Sequence, residues 1–174
     1  MRTVLSSIES EYRRYKRLGD ESIRQLDAEA LIRQPPGDGN SVAAIVWHIS
    51  GNLRSRFTDF LTTDGEKPWR DRESEFAPRA VSADEVGAKW EEGWDVLFRA
   101  LAALSDDDLS RTVVIRGQDL SVLDALQRSV THASYHVGQI VFLARSLRGK
   151  RWEWLTIPPG QSDAYNQNPH REKP

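Results

Sequence analysis

Two of the chain's four histidines, His132 and His136, stand four residues apart in the stretch Thr131-His132-Ala133-Ser134-Tyr135-His136-Val137-Gly138-Gln139-Ile140. The surrounding segment has helical periodicity, and residues four apart lie one above the other on a helix face. Both imidazoles therefore point the same way. Their neighbours on that face are apolar: Ala125, Ile140, Leu143 and Leu147. A pair of imidazoles among apolar side chains calls for a partner, and a metal ion with His48 as third ligand supplies one. Neutral imidazole suits zinc, nickel, copper or iron. Catalytic zinc commonly takes three protein ligands and leaves a position for water or substrate. The competing reading makes the histidines core residues, each satisfied by one hydrogen bond.

The motif is not that of a zinc protease, because Ala133 follows His132 where such a helix carries its glutamate base. Peptide hydrolysis is disfavoured. A metal that activates a substrate thiol or polarises a carbonyl remains open. Candidate residues for the chemistry are Asn52, one turn after His48, together with Tyr135 and Gln139 beside the histidine pair. Each of them is equally readable as a polar residue at the core's edge. Arg54, Arg56, Arg70 and Arg72 can attract an anionic substrate, although Asp59, Asp71, Glu73 and Glu75 are at hand to pair with them. Trp69, Trp152 and Trp154 can close a pocket or a dimer interface. His170 lies in the tail and joins no group.

Four amphipathic helices must position these residues. Val4, Leu5, Ile8, Tyr12 and Tyr15 recur at helical spacing, predicting a first helix that ends near Gly19. A short helical piece follows between Asp20 and Ile32, and Pro35-Pro36-Gly37-Asp38-Gly39 breaks the chain. Asn40 or Ser41 caps a second long helix with the stripe Val42, Ile45, Val46, Ile49, Leu53, Phe57 and Phe60, closed by Thr62-Thr63-Asp64-Gly65. His48 and Asn52 sit on the edge of that stripe. From there to Val81 no periodicity is visible, and a connection of that length suggests a lid. Ser82 and Glu85 form a capping box for a third helix carrying Val86, Trp90, Trp94, Leu97, Leu101 and Leu104. Ser105-Asp106-Asp107-Asp108 begins a short turn. Thr112 to Leu120 reads as a hairpin. Ser121 and Asp124 open the last long helix, which carries the histidine pair and stops at Gly149. The apolar start of the tail, Trp152, Trp154, Leu155 and Ile157, predicts packing on the helices, with loose order from about residue 165.

The expected fold is all-α, a four-helix bundle with a small hairpin before the last long helix, in one domain over residues 1–174. Composition narrows the function. Of 174 residues, 39% are hydrophobic and 29% charged, and the net charge of -2 offers neither a nucleic-acid footprint nor a basic membrane face. No apolar run is long enough to span a bilayer, and the start of the chain lacks the apolar core of a secretory signal. A cytoplasmic protein is the expectation. With no cysteine, a transition-metal site must be built from histidine and oxygen ligands.

A histidine in the second long helix, a His-x-x-x-His pair in the last and a small extended piece before it resemble the DinB-like superfamily, also called the YfiT-like metal-dependent hydrolases. The resemblance covers nearly the whole chain. Ser41-Val42-Ala43-Ala44-Ile45-Val46-Trp47-His48-Ile49-Ser50-Gly51-Asn52 reads like the superfamily's motif in that helix. Gly51-Asn52-Leu53-Arg54-Ser55-Arg56-Phe57, Thr62-Thr63-Asp64-Gly65-Glu66-Lys67-Pro68-Trp69 and Ile157-Pro158-Pro159-Gly160-Gln161-Ser162 are similar to one uncharacterised bacterial subgroup within it. The resemblance implies a four-helix bundle, often a homodimer, with zinc or nickel on three histidines. By position these are His48, His132 and His136. It also implies transferase or hydrolase chemistry on a small molecule, including low-molecular-weight thiols such as bacillithiol or mycothiol. The alternative is a metal-binding or interaction module without catalysis.

Overall fold

The computed structural model describes residues 3–169. Its long helices are α1 (Thr3–Arg24), α3 (Val42–Phe57), α4 (Ala83–Ala102) and α5 (Val122–Arg148), joined by the short α2 (Ala28–Ile32) and followed by α6 (Ser162–Gln167). The fold is mostly helical, in the all-α class that the periodicity predicts. α3 packs on α4 and α1 on α5, while α3–α5 and α1–α4 contacts complete the arrangement. The core between them holds Leu5, Tyr12, Ile49, Leu53, Trp94, Leu97, Leu126 and Ile140. Tyr12 is fully buried, and its hydroxyl donates to the Leu126 carbonyl at 3.0 Å, tying α1 to α5.

The caps fall where the sequence puts them. Ser41 accepts from the Ala44 N–H at 3.2 Å, Ser82 and Glu85 form the reciprocal capping box, and Ser121 accepts from the Asp124 N–H at 3.0 Å. Asp106, in the short turn after α4, accepts from the Leu5 and Val4 N–H groups and so caps α1 from a distance.

Two boundaries and one burial pattern differ from expectation. α1 does not stop at Gly19 but runs to Arg24. Gly19 is there for room: a Cβ at that position would lie 2.3 Å from Cζ2 of Trp90, whose indole N–H donates to Asp20 at 2.5 Å. α3 ends at Phe57, short of the Thr62-Thr63-Asp64-Gly65 stretch, because Asp59 adopts a positive φ of 50°. α3 also lacks a single apolar stripe. Twelve of its sixteen residues are buried, so it is wrapped on most sides.

The 58–81 connection is not structureless. It contains a 3₁₀ turn, Glu73–Phe76, packed on α3. The hairpin pairs β1 (Thr112–Ile115) with β2 (Gln118–Ser121). Its two turn residues, Arg116 and Gly117, both have positive φ, as a tight two-residue hairpin turn needs. Asp64 accepts from both of their N–H groups at 2.8 Å, which fixes the hairpin against the connection. The tail begins as expected, with Trp152 half-buried against the core. The Gln25 side chain bonds the Glu153 backbone in both directions, at 3.1 and 2.9 Å. Residues 162–167, expected to be loose at their end, form α6. His170 and the rest of the tail lie outside the described residues.

Candidate metal centre

His48 comes from the middle of the wrapped α3 and is 5% exposed. His132 and His136 come from successive turns of α5 and are half-buried. The packing of α3 on α5 brings the three rings together, with centroids 4.6–5.1 Å apart. One ligand nitrogen of each lies within 4.8 Å of the others, so the triad can hold a metal ion.

The tautomers follow from the outward hydrogen bonds. His48 Nδ1 stands 2.8 Å from Glu75 Oε2, and only the N–H tautomer at Nδ1 can donate to that carboxylate. The lone pair of His48 is then on Nε2. His136 Nδ1 stands 2.8 Å from the Gln139 side-chain oxygen and donates to it by the same logic. Nε2 of His48 lies 3.1 Å from Nε2 of His132. Two lone pairs at that distance repel unless a cation or a proton serves both. Tetrahedral zinc with Zn–N bonds of about 2.0–2.1 Å sets its ligand nitrogens about 3.4 Å apart, close to this separation. The donor set and its spacing fit a divalent metal.

Protonation favours the same use. His132 is pushed down to about 3, first by burial and then by the neighbouring His136 and His48. His136 is lowered by burial and by His48, with the Gln139 hydrogen bond opposing. Both are neutral at ordinary pH, the form that binds metal.

Glu75 escapes sequence reasoning except as a surface partner for arginines. Its side chain is buried, 2.7 and 2.9 Å from the guanidinium of Arg70, itself 2% exposed. Burial works against the carboxylate's charge, but the hydrogen bonds from His48 and Arg70 outweigh it and hold the group below the usual range. Gly51, one turn after His48, makes the room: a Cβ there would lie 2.1 Å from Glu75 Oε1. Phe76 stacks on the His48 ring at 4.8 Å. Arg79 donates from Nη2 to the carbonyls of Ser74 and Glu75, both at 2.8 Å, and so fixes the turn. The sequence held one clue, an apolar Phe76 within a charged run.

The triad opens into a cavity of about 390 Å³. Asn52, Tyr135 and Gln139, all singled out from sequence, line it. Gln139 touches His136, and its amide donates to the Tyr135 hydroxyl at 3.3 Å. Of the four arginines considered, Arg56, Arg70 and Arg72 line the cavity, while Arg54 turns away to pair with Glu92 at 3.0 Å. Arg116 and Arg128 line it too and were not foreseen. Trp69, Trp152 and Trp154 do not reach it. Trp69 lies half-exposed under Arg54, and Trp154 under Arg145. Among the described residues no carboxylate lines the cavity, and the one carboxylate beside the triad, Glu75, is turned toward His48 Nδ1 and Arg70.

Among the described residues, no helix is long and apolar enough to cross a membrane. The chain belongs to the family described as "Protein of unknown function (DUF1572)", which matches residues 1–161. Comparison with curated proteins yields no match.

Proposed function

We propose that this family member is a metal-dependent enzyme of the DinB-like type, with one zinc or nickel ion on His48, His132 and His136. The observation that carries the reading is the 3.1 Å approach of Nε2 of His48, whose ring Glu75 orients, to Nε2 of His132. The resemblance of the His48 and His132–His136 segments to the DinB-like motif supports it. Once bound, the metal supplies Lewis acidity, lowering the pKa of a thiol or water at its open position. The chain does the rest. Glu75 and Gln139 orient two of the ligands. Phe76 screens the His48 ring from solvent. Asn52 and Tyr135 are placed to hydrogen-bond a small molecule in the cavity. The preferred reaction is transfer to, or hydrolysis of, a small substrate, with a low-molecular-weight thiol as the first class to test.

Elemental analysis of purified protein tests the metal, with about one ion per chain expected for a three-histidine site. His132→Ala should lose it. Full occupancy in that variant would sink the assignment. One observation favours a second reading, a metal-binding module without catalysis: among the described residues, no carboxylate lines the cavity to take a proton. A thermal-shift screen of thiols, with and without metal, separates the two. Metal-dependent stabilisation by one thiol supports the enzyme, and none across a broad panel supports the module.

A further inference from the structure

The cavity wall facing the triad is cationic to a degree that ligand-holding does not require. Arg56, Arg70, Arg72, Arg116 and Arg128 line it, with no aspartate or glutamate among the lining residues. Their ion pairs lie behind the wall and leave charge over. Glu66 serves both Arg56 and Arg116, at 3.2 and 2.7 Å. Glu75 serves Arg70 while also accepting from His48. Glu73 serves Arg72 at the surface. Arg128, on the exposed face of α5, makes no ion pair among the described residues. Three carboxylates thus pair with four of the five guanidinium groups, Asp64 adds a fourth negative charge near Arg56, and Arg128 is left over.

Arg70 adds a second, independent sign. Its Nε and Nη2 are spent on Glu75, but Nη1 is fully buried and has no acceptor among the described residues. A buried charged donor left unpaired is costly, so an acceptor from outside the chain is expected, a water or an oxygen of a bound molecule. Guanidinium groups match carboxylate and phosphate oxygens with paired N–H donors.

We propose that this cavity takes a small molecule carrying an oxyanion, a carboxylate or a phosphate, and that Arg70, Arg116 and Arg128 hold that end while the other end faces the histidine triad. The placement of the reacting end rests on the metal reading above. The arginine wall stands on its own geometry.

The test is calorimetric titration of the zinc-loaded full chain at constant ionic strength. The probes are succinate, inorganic phosphate and, as a neutral control, succinamide. Zinc is measured in every sample. Saturable binding of succinate or phosphate, with none of succinamide, is the expected result, and the anion that binds tells carboxylate from phosphate. Arg116→Gln and Arg128→Gln should each weaken it about tenfold, the scale of one charge-assisted hydrogen bond, with zinc content unchanged. Absence of binding by both anions to zinc-loaded wild type overturns the proposal. So does wild-type affinity in both variants, which would put the anion on the metal alone. If the chain takes up no zinc, the metal reading falls. The same titrations on metal-free protein then decide the arginine wall by the same outcomes.

Discussion

The two walls that supply the histidines are built differently. On the α3 side, His48 is buried, stacked on Phe76 and held through Nδ1 by a carboxylate that Arg70 clamps on its far side. On the α5 side, His136 is half-buried and held by the neutral amide of Gln139 from its own helix. Beyond that amide stands Tyr135, 63% exposed. His48 is fixed by charge and long-range packing, His136 by a neighbour on its own helix. A carboxylate behind an imidazole raises its basicity, whereas an amide mainly orients it. The α3 wall should therefore set the affinity for metal, and the α5 wall should leave room for adjustment at the open side.

The harshest break of this contrast is Glu75→Ala. It frees the His48 ring and strands the buried Arg70 guanidinium. Removing one partner of a buried ion pair costs about 3–5 kcal/mol, read by urea denaturation of the metal-free protein. Loss of a partner behind a ligand lowers metal affinity about 10–100-fold, read by competition with a chromophoric chelator. Unchanged affinity in a folded variant would show that the carboxylate is only structural. Gly51→Ala approaches the same result from the other side, because its methyl group would occupy the place of Glu75 Oε1.

This contrast also explains what was legible beforehand. The α5 wall is local: His132, Tyr135, His136 and Gln139 lie within two turns, so helical spacing alone puts them together. His48 could be joined to them because it stands beside the apolar run Val42, Ile45, Val46, Ile49 and Leu53, which marks the segment as a core helix. Glu75 and Arg70 come from a segment with no period, where a buried carboxylate reads like a solvated one. Their burial depends on the docking of the 3₁₀ turn against α3 at Gly51, a tertiary event with no local signature. Arg116 reaches the cavity only because Asp64 pins the hairpin turn, and that too is set by pairing between distant segments. The helix caps at Ser41, Ser82 and Ser121 were readable because capping is local chemistry. The end of α1 was not, because Gly19 answers to Trp90 and not to its own neighbours.

Acid should act on the two walls in sequence, with a smaller effect than Glu75→Ala. His132 is neutral in the folded protein down to about pH 3, whereas in the unfolded chain it takes a proton near pH 6.5. Below about 6.5 the unfolded state binds more protons, so the metal-free protein loses stability as the pH falls from there toward 3. His136, also lowered, adds to the same window. Glu75 contributes with the same sign but later, since its stabilisation is present above its unfolded pKa and is lost only as pH falls below it. Urea midpoints measured between neutral pH and pH 4 should decline first through the histidine window, and His132→Gln should flatten that part of the curve. A curve that stays level to pH 5 in wild type would mean that the histidines are not held neutral by the fold.

The gentlest change addresses the α5 wall directly. Gln139→Ala removes one neutral hydrogen bond to His136 and the link to Tyr135, while the carboxylate-backed His48 is untouched. A neutral hydrogen bond is worth about 0.5–1.5 kcal/mol, so metal affinity should fall about 2- to 10-fold, less than in Glu75→Ala. Gln139→Glu goes the other way. It gives His136 the kind of partner that His48 already has, and its charge also faces the arginine-lined cavity. Metal should then bind more tightly than in wild type, by a margin the same chelator competition resolves. If Gln139→Glu weakens metal instead, the amide's task is to keep His136 free to shift on the open side, and the α5 wall is adjustable by design and not merely less strongly held.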